Sequence, residues 1–347
     1  MTTPFFGPEK PTDKIGFFWK LISVVLAVGA VFTISFFATD LKFTSNLNEI
    51  SLVMDKMSDF SETKTVSAGG DIVFEPLVNS EPEIPELIGE LFIQDSFTAK
   101  SIIVKDNKSG ALLYSKNEYD KRSIASITKL MSALLLLEKN PDWSSLATVV
   151  GSDSMGTHMY AGDIYSLDEL WNAALVGSSN KAILSLVQAL DWPMEAFVER
   201  MNQKARELGM TDTSFVEPTG LEDGNQSSAS DIIILLNNAL QNEKIKNALR
   251  TKEFSLYSKQ REKSHHMWNT NWLLLGWINN DFAEVIGGKT GYTNAAGYSF
   301  VVSIRNKNGN VVDVVVLGTE KHEDRFTEAR DLANMVFDNY QWPEPAR

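Results

Sequence analysis

The strongest constraint on the fold is an apolar run broken by a single serine, Leu130-Met131-Ser132-Ala133-Leu134-Leu135-Leu136-Leu137, which opens on Ser126-Ile127-Thr128-Lys129. A run that is apolar on nearly every face predicts a helix buried on nearly all sides, in the middle of a domain rather than on its surface. The step at its head carries chemistry. A serine hydroxyl is a weak nucleophile until a base takes its proton. A lysine three residues on shares the same helical face, which sets an amine beside the hydroxyl. Backbone N–H groups at such a helix start lack intrahelical partners, and the positive dipole end is near.

Two further motifs follow, Ser178-Ser179-Asn180 and Lys289-Thr290-Gly291. Each is weak alone, and the chain carries decoys at Ser61-Glu62-Thr63-Lys64, Ser178-Ser179-Asn180-Lys181 and Lys108-Ser109-Gly110. Context separates them. Ser61 falls in an acidic stretch, and Lys108 reads as a hairpin turn between short strands at 101–105 and 111–115. Lys289 follows a short strand, Phe282 to Ile286, that ends in Gly287-Gly288, and a clear strand from 298 to 304 comes after it. Glycines there let another backbone approach a strand edge. In this order the three motifs match the Ser-x-x-Lys, Ser-x-Asn and Lys-Thr-Gly trio of serine β-lactamases and penicillin-binding proteins.

From about residue 97 to 340 the chain resembles the serine-type D-alanyl-D-alanine carboxypeptidases, the low-molecular-mass penicillin-binding proteins. The resemblance covers Ile124-Ala125-Ser126-Ile127-Thr128-Lys129-Leu130-Met131, the lead-in Gly162 to Leu170, Phe215-Val216-Glu217-Pro218-Thr219-Gly220-Leu221, Ser227 to Asp231 and Asn269-Thr270-Asn271-Trp272. It departs from the family at Ser179 and Lys181, where relatives often carry Gly or Ala and Asp, and at Tyr292, where some carry His. These changes bear on substrate preference rather than on the chemistry.

The resemblance implies acyl transfer through an ester on Ser126, with neutral Lys129 as base, Ser178 as proton relay and Asn180 holding Lys129 and the substrate amide. Lys289 and Thr290, with Gly291 between them and Tyr292, would bind the terminal carboxylate, helped by Arg325. The N–H groups of Ser126 and Tyr292 would form the oxyanion hole, a feature worth about 3 kcal/mol per donor. The implied substrate is a peptidoglycan stem peptide ending in D-Ala-D-Ala, with β-lactams as acylating inhibitors and no cofactor. Glu169 precedes the middle motif and is no counterpart of a deacylating glutamate, so bound penicillin should leave slowly.

Other function classes recede. Cysteine is absent, which removes disulfide scaffolds, Cys-zinc sites and thiol catalysis. His158, His265, His266 and His322 show no metal-ligand spacing, so no metal site is expected. The net charge of −13 sits largely in residues 40–95, at −9, and no basic stripe suggests a nucleic-acid partner.

Residues 21–38 are eighteen without a charge, preceded by Trp19 and by Lys10, Lys14 and Lys20. At about 1.5 Å per residue they just span a bilayer core, with the N-terminus inside. A cleaved signal peptide is the rival, and an uncleaved anchor is the favoured reading. The expected layout is a cytoplasmic tail (1–20), a transmembrane anchor (21–38), an acidic stalk (39–95), a catalytic domain (96–340) and a tail (341–347). It would place the enzyme in the bacterial cytoplasmic membrane as a single-pass protein with its catalytic domain outside. Phe43, Leu47, Ile50, Met54 and Met57 form a two-heptad stripe within the stalk.

Helical patterns at 167–175, 181–190, 194–208 and 230–241 lie between strands near both ends, with a last helix at 325–339. The expected fold class is α+β: one antiparallel sheet drawn from both termini and flanked by helices. The family fold, a serine β-lactamase/transpeptidase-like fold, agrees. A DD-endopeptidase or β-lactamase of the same fold, a membrane-anchored penicillin-binding sensor and a structural stalk protein are the alternatives.

Overall fold

A computed structural model describes residues 83–91, 97–152 and 159–343. These belong to a unit that spans Asn79–Arg347. The proposed anchor, the heptad stripe and the decoy at Ser61 lie outside the described residues. Among the described residues no helix is long and apolar enough to cross a membrane.

Five strands form one antiparallel sheet. They are β1 (Ser101–Asp106), β2 (Leu112–Lys116), β5 (Glu284–Thr293), β6 (Gly297–Arg305) and β7 (Val311–Thr319), in the order β5-β6-β7-β1-β2. The sheet is drawn from both ends of the domain, as the pattern predicts. Lys108 does sit in the turn of the β1–β2 hairpin. Helices lie between: α1 (Lys129–Glu138), α2 (Leu167–Leu175), α3 (Asn180–Ala189), α4 (Met194–Glu207), α5 (Ala229–Leu240) and α6 (Glu243–Arg250). The hairpin β3 (Glu253–Ser258) and β4 (Lys263–Trp268) follows, and α7 (Asp324–Asn339) comes after the last strand of the sheet.

Adjacent residues on the strands face opposite ways, and both faces are covered. Ile103, Val301, Val315 and Leu317 join the large core of α1 to α6, whereas Ile102, Phe300, Val302, Val314 and Val316 pack on Phe326, Leu332, Ala333 and Val336 of α7. Burial on both sides explains why Val311 to Leu317 reads as an almost unbroken apolar run. Helix α1 lies in the first core with Leu130, Met131, Ala133, Leu135 and Leu136 fully buried.

Two expectations need correction. The strand expected to stop at Gly287-Gly288 runs on through both glycines to Thr293, with a bulge between Val285 and Gly287. The glycines answer to packing. A Cβ on Gly287 would lie 2.7 Å from the Leu240 side chain, and one on Gly288 would lie 2.7 Å from the Val301 carbonyl. The segment between Gln241 and Phe282, where the sequence pattern places no element, holds α6, the β3–β4 hairpin and the single turn Trp272–Leu275.

Candidate active site

Ser126 lies in a 3-10 turn, Ala125–Thr128, that runs into α1, not in the α-helix itself. In 3-10 geometry residues i and i+3 eclipse, which aligns the serine with Lys129. The lysine Nζ lies 2.8 Å from Ser126 Oγ, 2.6 Å from Asn180 Oδ1 and 2.6 Å from the Thr219 carbonyl. Its side chain is fully buried. Burial lowers its pKa from 10.5 to about 7, against an upward pull from the Glu217 charge. A hydroxyl beside an amine that is substantially neutral near pH 7 is a nucleophile–base pair.

The middle motif sits at the start of α3. Ser178 has a left-handed backbone, φ 57°, and Ser179 caps the helix by accepting the Ala182 N–H at 3.2 Å. Asn180, the first helical residue, thereby faces Lys129. Ser178 Oγ accepts from Lys289 Nζ at 2.8 Å, so its partner is the second lysine, whereas the expected relay begins at Lys129. Lys181 is buried and donates to the Met159 carbonyl, with its Nζ 5.6 Å from the Tyr160 ring centroid. With Ser179 Oγ on Met159 Sδ at 3.4 Å, the two departures from the family pattern pin residues 159–160 against the first turn of α3.

Strand β5 is the edge of the sheet and brings Lys289, Thr290 and Gly291 to the same place. A Cβ on Gly291 would come within 2.6 Å of the Ile124 carbonyl and 3.3 Å of the Ser126 nitrogen, so only glycine lets the strand approach the nucleophile turn. Thr290 Oγ1 donates to Thr270 Oγ1 at 2.6 Å. Tyr292 is half exposed and stacks on Tyr298 with centroids 4.2 Å apart. Lys289 is buried, and its pKa is pushed well below 10.5 by burial first, then by Lys129 and Arg325.

Arg325 is no surface residue of its helix. It is buried, donates to the Gly291 carbonyl at 3.2 Å and lies 2.7 Å from His322 Nε2. Burial brings its pKa down to about 10. Among the described residues no carboxylate forms an ion pair with Lys129, Lys289 or Arg325. Burial disfavours the charged forms of these groups, so an anion that reached Lys289 and Arg325 would be held there by the charge it stabilises.

Sequence reasoning assigned no role to Glu217, Thr219, Gly220, Asn225, Thr270 or His322. Gly220 carried a readable signal, a glycine in a Glu-Pro-Thr-Gly turn. Its φ is +88°, and a Cβ there would lie 1.9 Å from the Ala125 carbonyl. Glu169 serves as the return partner in the capping box of α2, with Ser166 N–H donating to its Oε2 at 2.8 Å.

Comparison with known proteins agrees with this geometry. The family profile described as D-alanyl-D-alanine carboxypeptidase matches residues 90–321. The D-alanyl-D-alanine carboxypeptidase DacF of Bacillus subtilis is 31% identical over 70% of this chain, and the chain spans only 63% of that relative's length. The D-alanyl-D-alanine endopeptidase of Pseudomonas aeruginosa is 32% identical over 69% of this chain and 77% of its own. A penicillin-binding protein from Listeria monocytogenes, solved in its ampicillin-bound form, superposes with a TM-score of 0.61 at 26% identity, covering 70% of this chain and 99% of that one. With the profile matched across most of its described residues and the three motifs brought together by hydrogen bonds at one site, the chain belongs to the D-alanyl-D-alanine carboxypeptidase family.

Proposed function

We propose that this chain is a serine-type D-Ala-D-Ala carboxypeptidase that trims peptidoglycan stem peptides through an acyl-enzyme on Ser126. The carrying observation is the Lys129 amine, fully buried and 2.8 Å from the Ser126 hydroxyl. Neutral Lys129 takes the hydroxyl proton as Ser126 Oγ attacks the carbonyl of the terminal peptide bond. The Ser126 and Tyr292 N–H groups receive the developing oxyanion, with Gly291 allowing the strand to close on the turn. The Ser178 hydroxyl accepts from Lys289, so as the peptide C–N bond breaks it gives its own proton to the departing nitrogen and takes in its place the proton that Lys129 removed from Ser126. Lys289, Thr290 and Arg325 hold the terminal carboxylate, whose negative charge favours the protonated form of Lys289 that burial disfavours. Water then releases the shortened peptide.

β-Lactams acylate the same serine on this reading. Their release is slow, because Glu169 is held in a helix cap. A second reading, cleavage of D-Ala crosslinks as a DD-endopeptidase, is favoured by the 32% identity to the Pseudomonas endopeptidase. Residues 21–38 anchor the protein in the cytoplasmic membrane, with the catalytic domain beyond an acidic stalk; the support is their uncharged length and the flanking Trp19 and Lys20.

The test uses the full chain and Ser126→Ala with a fluorescent penicillin, a D-Ala-D-Ala pentapeptide and a crosslinked muropeptide dimer. The variant should lose labelling and D-Ala release together, and labelling that persisted would show that another serine reacts. Cleavage of the dimer in preference to the pentapeptide would select the endopeptidase reading.

A further inference from the structure

Glu217 stands beside the reactive serine's turn and has four donors on its carboxylate. Oε2 accepts the Thr219 N–H at 2.7 Å and the Thr219 hydroxyl at 2.6 Å; Oε1 accepts the Gly220 N–H and Asn225 Nδ2, the latter at 2.7 Å. Asn225 ties this turn to the nucleophile segment on both sides. Its Nδ2 reaches Thr128 Oγ1 at 3.2 Å, and its carbonyl accepts the Ile124 N–H at 3.1 Å. The Pro218 carbonyl accepts from Ser132 Oγ at 2.6 Å, and Gly220 packs directly on the Ala125 carbonyl. What this turn presents to the site is the Thr219 carbonyl, 2.6 Å from Lys129 Nζ.

We infer that Glu217 is a positioning residue for Lys129: its carboxylate holds the 217–220 turn so that the Thr219 carbonyl aims the amine at Ser126. The inference rests on the serine acylation proposed above. The charged groups coupled electrostatically to the amine or to its neighbouring lysine are Glu217, Lys289 and Arg325. Glu217 is the only one of these that favours the protonated amine. An ionised carboxylate offers about four acceptor positions, and here each is taken by a donor of the protein. None is left to activate water, so Glu217 acts on acylation and not on deacylation.

The experiment compares full-length wild type, Glu217→Gln and Glu217→Asp. Acylation by a fluorescent penicillin is followed from about pH 5 to about pH 10, and release of bound label is followed in a separate chase. The Glu217 charge raises the pKa of Lys129, so the acid limb of acylation in Glu217→Gln should move to lower pH, with a plateau about 10-fold lower. Glu217→Asp keeps the charge but withdraws the carboxylate, so its limb should stay in place while the plateau falls. Release should change less than about twofold in both, since no step of deacylation is assigned to this residue. An acid limb that stays put in Glu217→Gln, or a Glu217→Asp plateau equal to wild type, overturns the inference. Slowed release with unchanged acylation also overturns it and makes Glu217 a water-activating base. Should Glu217→Gln fail to fold by circular dichroism, the Glu217→Asp profile decides alone. Failure of the acylation proposal itself would be seen separately, as labelling that survives Ser126→Ala.

Discussion

Lys129, Lys289 and Arg325 are buried within one site with no carboxylate paired to any of them among the described residues, and two nearby residues hold strained left-handed backbones, Ala125 at φ 47° and Ser178 at φ 57°. Such backbones cost about 1–3 kcal/mol each and persist where the surroundings over-determine them. The buried amine also ties stability to pH. In the unfolded chain Lys129 holds its proton up to 10.5; in the folded chain it does so only to about 7. Between those values the unfolded state binds more protons, so stability rises with pH, and the penalty, on the order of 5 kcal/mol, is fully present below the folded pKa. Denaturant melts of wild type and Lys129→Met should therefore show wild type gaining on the variant between pH 7 and pH 10. A gap independent of pH would mean that the folded amine keeps its proton. For Arg325→Ala, steady-state kinetics on a D-Ala-D-Ala peptide should show KM raised about 10- to 100-fold with kcat changed far less, the mark of lost ground-state binding. A fall confined to kcat would instead make the arginine a brace for the Gly291 carbonyl.

At the scale of elements, the site depends on how closely a strand and a 3-10 turn approach. Gly291→Ala would drive a Cβ to 2.6 Å from the Ile124 carbonyl, so β5 must retreat from Ser126. Misplacement by about 1 Å can cost about 100-fold in rate, and penicillin labelling rates should fall by that order while the thermal melt stays cooperative. Labelling at the wild-type rate would show that the approach is not needed. Helix α1 carries the opposite kind of constraint. Leu136 is fully buried in the main core, and Leu136→Ala should destabilise by about 2–5 kcal/mol in denaturant melts. The long helices were legible because their apolar spacing is regular, and the structure adds side-chain caps at their starts, such as Ser166 and Ser228. The β3–β4 hairpin was not, since its strands, Glu253 to Ser258 and Lys263 to Trp268, hold no β-branched residues and its turn, Lys259-Gln260-Arg261-Glu262, carries none of the Gly, Pro, Asn or Asp that mark a hairpin.

For the molecule as a whole, Ser126, Lys129, Ser178, Asn180, Lys289 and Arg325 come together at one site because the sheet joins the two ends of the domain and brings an edge strand to the start of α1. Catalysis is thus proposed to reside entirely beyond residue 96, and the segment before it to set location. Deleting residues 1–38 should release the protein from membranes in an extraction and sedimentation assay, with turnover of a soluble peptide unchanged within about twofold. Retention in the membrane fraction after the deletion would remove the anchor from the account.

The sequence by itself determined the three motifs, their order, the buried helix behind Ser126 and the antiparallel sheet drawn from both termini, because these are written in residue type and local period. Only the tertiary structure decided that Ser178 partners Lys289, that Arg325 is buried on the Gly291 carbonyl, that β5 runs through its glycines and that Glu217 grips the turn facing Lys129. Each of those depends on contacts between segments tens to hundreds of residues apart. Such contacts leave no local pattern; they appear only once the chain has packed and the buried polar groups have found their partners.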